Sequence, residues 1–501
     1  MSTSNATTTP NRWIALYVLC AGVLMIVLDA TVVNVALPSI KEDLDFTQNN
    51  LAWVVNAYLI AFGGLLLLSG RLGDLIGHRR VFLAGLAIFT GASLLCAVSQ
   101  SQEMLIAARF IQGGGGALAS AVTLGMIVTM FPEPRDQAKA IGVYGFVASA
   151  GGSIGLLAGG VLTDLINWHW IFFVNVPIGL VTALLTVRLV ESRPGIGISE
   201  GADVPGAVLV TGGLMLAVYT ILGVEQHGWT SARTLILAAV SVALVAAFVL
   251  RQARIEKPLM PLRLFKSRNG TGANIVMALL VVGMFGIFFL GALYLQLVLG
   301  YDPLQVGLAF LPGSLLMGVL SLGFTDKLNM RFGPRNVLIT GLSFLLVAML
   351  LFARTPVDGN YLVDVFPTMI IFGAGAGVAF PALMMLAMSG ATPSDAGLAS
   401  GLVNTTGQVG GAIGLALLAT ISTERTQTLL DQGESTASAL TGGYHVAYLI
   451  GAGLAVVAIV SAVTILRAEK PAAMMAEAHG EPAPHDHGSA AAEPAYSSDA
   501  A

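Results

Sequence analysis

Residues 70–80 read Gly-Arg-Leu-Gly-Asp-Leu-Ile-Gly-His-Arg-Arg and connect two apolar runs, near 51–69 and 81–98. A charged, glycine-rich connection between two segments of about twenty apolar residues is typical of a turn between two membrane-spanning helices. Glycine permits a tight turn, and an aspartate among arginines can form ion pairs that exist in only one packing of the helices. Two interpretations are open: a conformational latch, or a solvated basic loop that only sets topology. The candidate gating residues are Gly70, Arg71, Gly73, Asp74, Gly77, Arg79 and Arg80.

The composition of the whole chain agrees with a membrane location. Its 501 residues are 55% hydrophobic and 10% charged, whereas soluble domains carry roughly 25% charged residues. A soluble globular protein is therefore excluded. The net charge of −4 gives no reason to expect nucleic acid as a partner. Cys20 and Cys96 both lie in apolar runs, so neither a disulfide nor a metal site is predicted.

Apolar segments of spanning length recur along the chain and predict an all-α polytopic membrane protein with fourteen transmembrane helices. They lie near 13–37, 51–69, 81–98, 104–131, 139–163, 169–190, 204–224, 232–250, 273–299, 304–323, 336–353, 363–389, 397–420 and 444–467.

The basic residues predict the orientation. An even number of spans puts both termini on one side, and cytoplasmic loops are enriched in Lys and Arg. With the N-terminus in the cytoplasm, only Lys41, Arg233, Arg354 and Arg425 of the 24 basic residues fall outside, and Arg109 falls within a span. We therefore expect a multi-pass protein of the plasma (inner) membrane with both termini cytoplasmic.

The basic loop 251–268 separates eight spans from six. Two six-helix bundles plus an extra helix pair would explain this division, and internal repeats of this kind are typical of alternating-access transporters. The predicted domains are a cytoplasmic N-terminus (1–12), an N-terminal bundle (13–190), an extra two-helix linker with the basic loop (191–268), a C-terminal bundle (269–467) and a disordered cytoplasmic tail (468–501).

Two charges interrupt otherwise apolar spans. Asp29 lies in the first span and Arg109 in the fourth, both in the outer half of the helix in the assigned orientation. A charge at that depth costs at least ~2.5–3.5 kcal/mol on insertion scales, so it normally faces the bundle interior and has a function. We expect the two side chains to meet, and protonation of Asp29 to free Arg109; a static ion pair is the alternative. The glycine run 113–116 is not followed by Gly-Lys-Ser/Thr, so ATP hydrolysis is not predicted.

The fifth span repeats glycine at short intervals. Gly151, Gly155 and Gly159 share one helix face, and Gly160 is adjacent. Such a face allows close helix contact and also sliding, although simple packing explains the spacing equally well.

Together these segments resemble the major facilitator superfamily, and within it the fourteen-span drug:proton antiporter family. Residues 70–80 match the superfamily's signature loop, and 151–160 match the antiporter motif, with Leu156 where proline is usual. Further matches are the first-span motif at 28–40, the fourth-span arginine motif at 109–117, and the segments 168–177 and 294–312.

The resemblance implies export from the cytoplasm by alternating access, driven by proton entry, without ATP or any other cofactor. It assigns proton coupling to Asp29 and Arg109, gating to Asp74 with Arg71 and Arg80, and the antiport conformational change to the 151–160 glycines. We expect a monomer in the lipid bilayer that takes protons and a small-molecule substrate.

The cargo is the least determined feature. Few acidic residues besides Asp29 lie at cavity depth, which favours a hydrophobic neutral or singly charged cargo. The predicted function is proton-coupled efflux of hydrophobic or cationic drugs or antibiotics. Two alternatives stay open: a dedicated exporter of one endogenous metabolite or self-made antibiotic, and a sensor or scaffold without transport. An enzyme is not predicted, because no nucleophile, metal or paired-acid constellation is found. Candidate substrate-cavity residues are Trp53, Asn56, Tyr58, Gln112, Phe285, Tyr294, Gln296, Asn404 and Gln408.

Overall fold

The computed structural model describes residues 9–131, 133–195, 197, 203–256, 258–260, 262–388 and 396–467. Within these ranges the regular elements are all helices. The predicted tail 468–501 and the first eight residues of the N-terminus lie outside the described residues.

Seven helices form the first part of the chain, and side-chain caps begin several of them. Thr47 accepts a hydrogen bond from the Asn50 amide at the start of the second helix, and Ser101 does the same for Met104 at the start of the fourth. Such caps satisfy backbone donors that have no partner within the helix. The helices are α1 (Thr9–Asp43), α2 (Gln48–Ile76), α3 (His78–Ala97), α4 (Gln102–Met130), α5 (Pro134–Leu165), α6 (His169–Phe173) and α7 (Asn175–Leu189).

The predicted extra pair forms a hairpin: α8 (Val204–Leu222), a short α9 (Val224–His227) and α10 (Ala232–Gln252). Asp203 closes the hairpin at its base, because it caps Gly206 of α8 and also accepts hydrogen bonds from Arg251 Nε and Gln252 Nε2, both at 2.6 Å. Burial raises the pKa of Asp203, but the hydrogen bonds from Arg251, Gln252 and the Gly206 amide outweigh it and hold the pKa below its ordinary value.

The last part of the chain contains α11 (Arg268–Leu293), α12 (Pro303–Gly323), α13 (Thr325–Phe332), α14 (Pro334–Phe352), α15 (Phe366–Met388), α16 (Ala396–Asp431) and α17 (Thr436–Thr464). A π-helical turn at Tyr294–Val298 continues α11, and another at Tyr361–Val365 precedes α15. Asp302 and Gln305 form a capping box at the start of α12.

Thirteen helices within the described residues are long and apolar enough to cross a membrane, with α6 and α7 together forming one of them. The prediction of an all-helical membrane protein is confirmed. The predicted span near 139–163 falls in α5, a helix of 32 residues of which Ile154–Leu165 counts as a shorter apolar helix. The fourteenth span therefore stays a prediction.

The extra hairpin lies against helices from both ends of the chain. An ideal Cβ on Gly64 of α2 would meet Thr211 Oγ1 of α8 at 2.5 Å. On the other side, Thr420 Oγ1 of α16 donates to the Ile221 carbonyl at 3.2 Å, and Trp229 Nε1 donates to Glu424 Oε2 at 3.3 Å. The α8–α10 hairpin is therefore packed where α2 and α16 meet.

Candidate functional site

The structure brings the two intramembrane charges together. Arg109 Nη1 of α4 lies 2.5 Å from Asp29 Oδ2 of α1, and both side chains are fully buried. Arg109 Nε also donates to the Val54 carbonyl of α2 at 2.9 Å. Breaking a buried pair by removing one partner is strongly destabilising, because it leaves an uncompensated buried charge. Arg109 therefore links α4 to α1 through Asp29 and to α2 through Val54.

Neutral polar side chains complete the coordination of the carboxylate. Asp29 Oδ1 accepts from Gln112 Nε2 at 2.7 Å and from Asn175 Nδ2 at 2.9 Å. Gln112 Nε2 donates also to Ser93 Oγ at 2.8 Å, and Gln112 Oε1 accepts from Arg109 Nη1 at 2.7 Å. The result is one buried hydrogen-bonded network that joins α1, α3, α4 and α7.

Small residues on α4 allow this close arrangement. An ideal Cβ on Gly115 would meet the Phe89 amide nitrogen of α3 at 2.5 Å, and one on Gly113 would clash with the Tyr58 backbone of α2. The guanidinium of Arg109 lies over the Tyr58 ring at 4.4 Å from its centroid. The glycine run on α4 thus has a packing role.

The 70–80 segment turns at Gly77, whose φ of +100° is a conformation that favours glycine. Asp74 Oδ1 lies 3.6 Å from His78 Nε2, and Arg79 Nη2 donates to the Val187 carbonyl of α7 at 2.6 Å. The chain after α7 also lies against this turn: Gly197 N donates to the Leu75 carbonyl at 3.0 Å. The turn is therefore held by backbone contacts with the segment that leads to the extra hairpin.

The predicted glycine face of α5 packs on α1, beside Asp29. Ideal Cβ atoms would lie 2.9 Å from Val27 Cγ1 at Gly151 and 2.7 Å from the Val32 carbonyl at Gly159, and one at Gly155 would clash with Thr31 Oγ1. Gly160 faces elsewhere, with its Cβ position 2.7 Å from the Pro303 carbonyl at the start of α12. Leu156 is buried, and α5 runs through it without a break.

The nine candidate cavity residues are spread over different surroundings. Tyr58 and Gln112 belong to the ion-pair network. Tyr294 donates to the Pro356 carbonyl at 2.7 Å, and Gln296 donates to the Val35 carbonyl of α1 at 2.9 Å.

The remaining candidates include two with buried polar atoms that have no hydrogen-bond partner among the described residues. These are both amide atoms of Asn56 on α2 and Oε1 of Gln408 on α16. An ideal Cβ on Gly63 of α2 would lie 2.8 Å from Gln408 Cβ, so Gln408 lies where α2 and α16 touch. Trp53 is buried on α2, whereas Phe285 and Asn404 are half-buried on α11 and α16.

Sequence reasoning did not assign Ser93 and Asn175, and it placed Gln112 with the cargo. Asn175 lies in the quoted 168–177 motif, and its amide in an apolar stretch was the available signal. Ser93 gave none, because a serine in an apolar helix commonly bonds its own backbone, as Ser93 Oγ does with the Phe89 carbonyl at 2.8 Å. Within the described residues no group of three or more His, Cys, Asp or Glu side chains is placed to hold a metal ion.

The family model of the Major Facilitator Superfamily matches residues 19–415. The chain belongs to the major facilitator superfamily. It is thus a multi-pass membrane transporter rather than an enzyme, and the predicted family resemblance is confirmed. The puromycin resistance protein of Streptomyces alboniger is 38% identical over 470 residues, which cover 93% of each chain. The cephamycin export protein of Amycolatopsis lactamdurans is 38% identical over 424 residues, 84% of this chain and 86% of that protein.

The fold of this superfamily member also agrees with a solved transporter structure. A bacterial homolog of the human lysosomal transporter Spinster superposes with a TM-score of 0.66 at 15% identity, covering 91% of this chain and 97% of that one. At this identity the likeness establishes the fold alone.

Proposed function

We propose that this protein exports hydrophobic or singly charged antibiotic-like molecules from the cytoplasm in exchange for protons. The observation that carries the proposal is the fully buried Asp29–Arg109 pair. A carboxylate held within an apolar bundle is costly and is typical of proton relays in transporters. Protonation of Asp29 would remove one charge of the pair and weaken the link between α1 and α4.

The rest of the mechanism uses the surrounding helices. Because α5 lies against α1 at Gly159 and against α12 at Gly160, a shift of α1 can pass through α5 to the other part of the bundle. We infer two six-helix halves, α1–α7 and α11–α17, with α5 as the fourteenth span and the α8–α10 hairpin as the extra pair. The turn at Gly77 would act as the gate between the halves. The protein would work as a monomer in the plasma membrane, with both termini in the cytoplasm.

The driving force is sufficient without ATP. One proton that moves down about 100 mV and one pH unit releases roughly 3.7 kcal/mol, which supports a gradient of a few hundred-fold for a neutral cargo. A monovalent cation exchanged for one proton would experience the pH component alone.

Cargo would bind where α2 and α16 face each other. The amide of Asn56 and Oε1 of Gln408, which have no hydrogen-bond partner among the described residues, are groups that a polar atom of the cargo could satisfy. A dedicated exporter of one compound is a second candidate, because the two relatives are named for a single antibiotic each.

The test is transport in proteoliposomes with an imposed pH gradient and a fluorescent cationic dye. We expect wild-type protein to move the dye and Asp29→Asn to lose the gradient-driven part. Asp302→Asn is the matched control, because it makes the same carboxylate-to-amide change at a helix N-cap where Asn serves equally well. Dye movement by Asp29→Asn at the wild-type rate would contradict the proposal, and a panel of cargoes would separate broad from dedicated export.

A further inference from the structure

We propose that Asn175 is a positioning residue that lets Asp29 hold or release its proton, by turning its carboxamide from hydrogen-bond donor to acceptor. The inference rests on the proposed function, in which Asp29 carries the proton.

The partners of Asp29 in the structure fit only its charged form. Oδ2 accepts from Arg109 Nη1, and Oδ1 accepts from the amide nitrogens of Gln112 and Asn175. All three partners donate. A protonated carboxyl group carries a hydrogen that needs an acceptor, and a buried donor without one is costly. One partner must therefore reverse its role when Asp29 gains a proton.

Two of the three partners of Asp29 cannot change from hydrogen-bond donor to acceptor. A guanidinium has no acceptor atom. Gln112 is fixed at both ends of its amide: Oε1 accepts from Arg109 Nη1 at 2.7 Å, and Nε2 donates to both Asp29 and Ser93. Turning Gln112 would place its amide hydrogens against those of Arg109.

The side chain of Asn175 makes fewer hydrogen bonds than that of Gln112. Besides Asp29, its Nδ2 contacts Ser93 Oγ at a long 3.4 Å. A half-turn about χ2 exchanges Nδ2 for Oδ1, which can then accept from the new O–H on Asp29 Oδ1. Ser93 can adapt as well, because a hydroxyl both donates and accepts. The turn moves no carbon atom out of place, so it does not disturb the packing of α7 on α1.

In the proposed step one proton is added to Asp29 Oδ1 and the network gains one positive charge, so the contact of Arg109 with Oδ2 is weakened from an ion pair to a hydrogen bond with a neutral acid. A purely structural role for Asn175, as a link between α7 and α1, would predict an effect on stability without an effect on proton binding. The pH dependence of transport separates the two.

The test uses Asn175→Leu, which has a similar shape but neither donor nor acceptor. A bond to a charged carboxylate is roughly twice as strong as one between neutral groups, so the charged form of Asp29 loses more than the protonated form. We expect the pH at half-maximal transport to rise by about one unit, a tenfold gain in proton affinity, or ~1.4 kcal/mol. Thr182→Val is the matched control, because Thr182 is also buried on α7 and faces Gly22 of α1.

Infrared difference spectra of the same proteins follow the band of the protonated Asp29 carboxyl group. This band is assigned by its absence from the spectrum of Asp29→Asn. We expect this band to titrate at higher pH in Asn175→Leu, and at a higher stretching frequency because its hydrogen has lost an acceptor. An unchanged midpoint and band in folded Asn175→Leu would overturn the proposal. If wild-type protein shows no pH-driven transport but the band shifts as described, the proposed function fails and the role of Asn175 stands.

A measurement on wild-type protein covers the case in which Asn175→Leu does not fold. With a nitrogen isotope label on asparagine side chains, an amide band should change at the same pH midpoint as the Asp29 carboxyl band, and this change should vanish in Asp29→Asn. Amide bands that stay constant through the titration would refute the switch.

Discussion

The packing of α5 on α1 gives a prediction whose size follows from the structure. A Cβ on Gly159 would lie 2.7 Å from the Val32 carbonyl, whereas ordinary contact begins near 3.4 Å, so Gly159→Ala must separate the helices by about 0.7 Å. The obstacle is backbone, which has no side-chain rotation to relieve it. Overpacking of this kind costs typically about 1–3 kcal/mol, and we expect this loss in the free energy of unfolding.

Gly152→Ala is the matched control on the same helix. Its Cβ would have Thr31 Cγ2 as nearest neighbour, at 4.0 Å, so there is no clash. Alanine is also favoured over glycine inside a helix by roughly 0.5–1 kcal/mol. Denaturant titration in detergent micelles should therefore place the two variants on opposite sides of wild type, and Gly159→Ala should also transport more slowly. Equal stability of the two variants would refute this account of the glycine face.

Three further predictions concern other parts of the molecule. Arg109→Lys keeps the charge but loses the planar group that donates in several directions and stacks on Tyr58; we expect at least a tenfold loss of dye transport in proteoliposomes. Gly77→Ala forces a side chain into a φ of +100° and should lower the melting temperature and transport, whereas Gly91→Ala in α3, with no atom within 4 Å of its Cβ, should lower neither. Asp203→Asn should lower thermal stability at neutral pH. Because the folded-state pKa of Asp203 lies below its ordinary 3.8, the advantage of wild type should shrink once the pH falls below that value and vanish below the folded-state pKa, as thermal melts across pH will check.

The fold and the central charges were accessible from sequence for the same physical reason. Long apolar segments have to be helices in a bilayer, and a charge within one has to face a partner, so Asp29 and Arg109 stood out. Their contact could be predicted because both residues lie at the same depth in the membrane. That depth does not depend on knowing how each helix is rotated.

The neutral members of the network were not accessible in this way. Asn175 and Asp29 are 146 residues apart in the chain, and their contact depends on the rotation and spacing of α1 and α7. Ser93 carries no charge and so gives no strong signal in a hydropathy pattern. The place of the extra hairpin also depended on tertiary packing, since nothing in residues 204–250 indicates that α8 would lie against both α2 and α16.

The most direct test of the central claim is proton movement elicited by cargo. Purified protein in liposomes, without any imposed gradient, receives cargo on one side while an enclosed pH dye reports proton flux. We predict that wild-type protein moves protons opposite to the cargo and that Asp29→Asn moves none. Cargo-dependent proton flux through Asp29→Asn equal to that of wild type would contradict the assignment of Asp29 as the coupling residue.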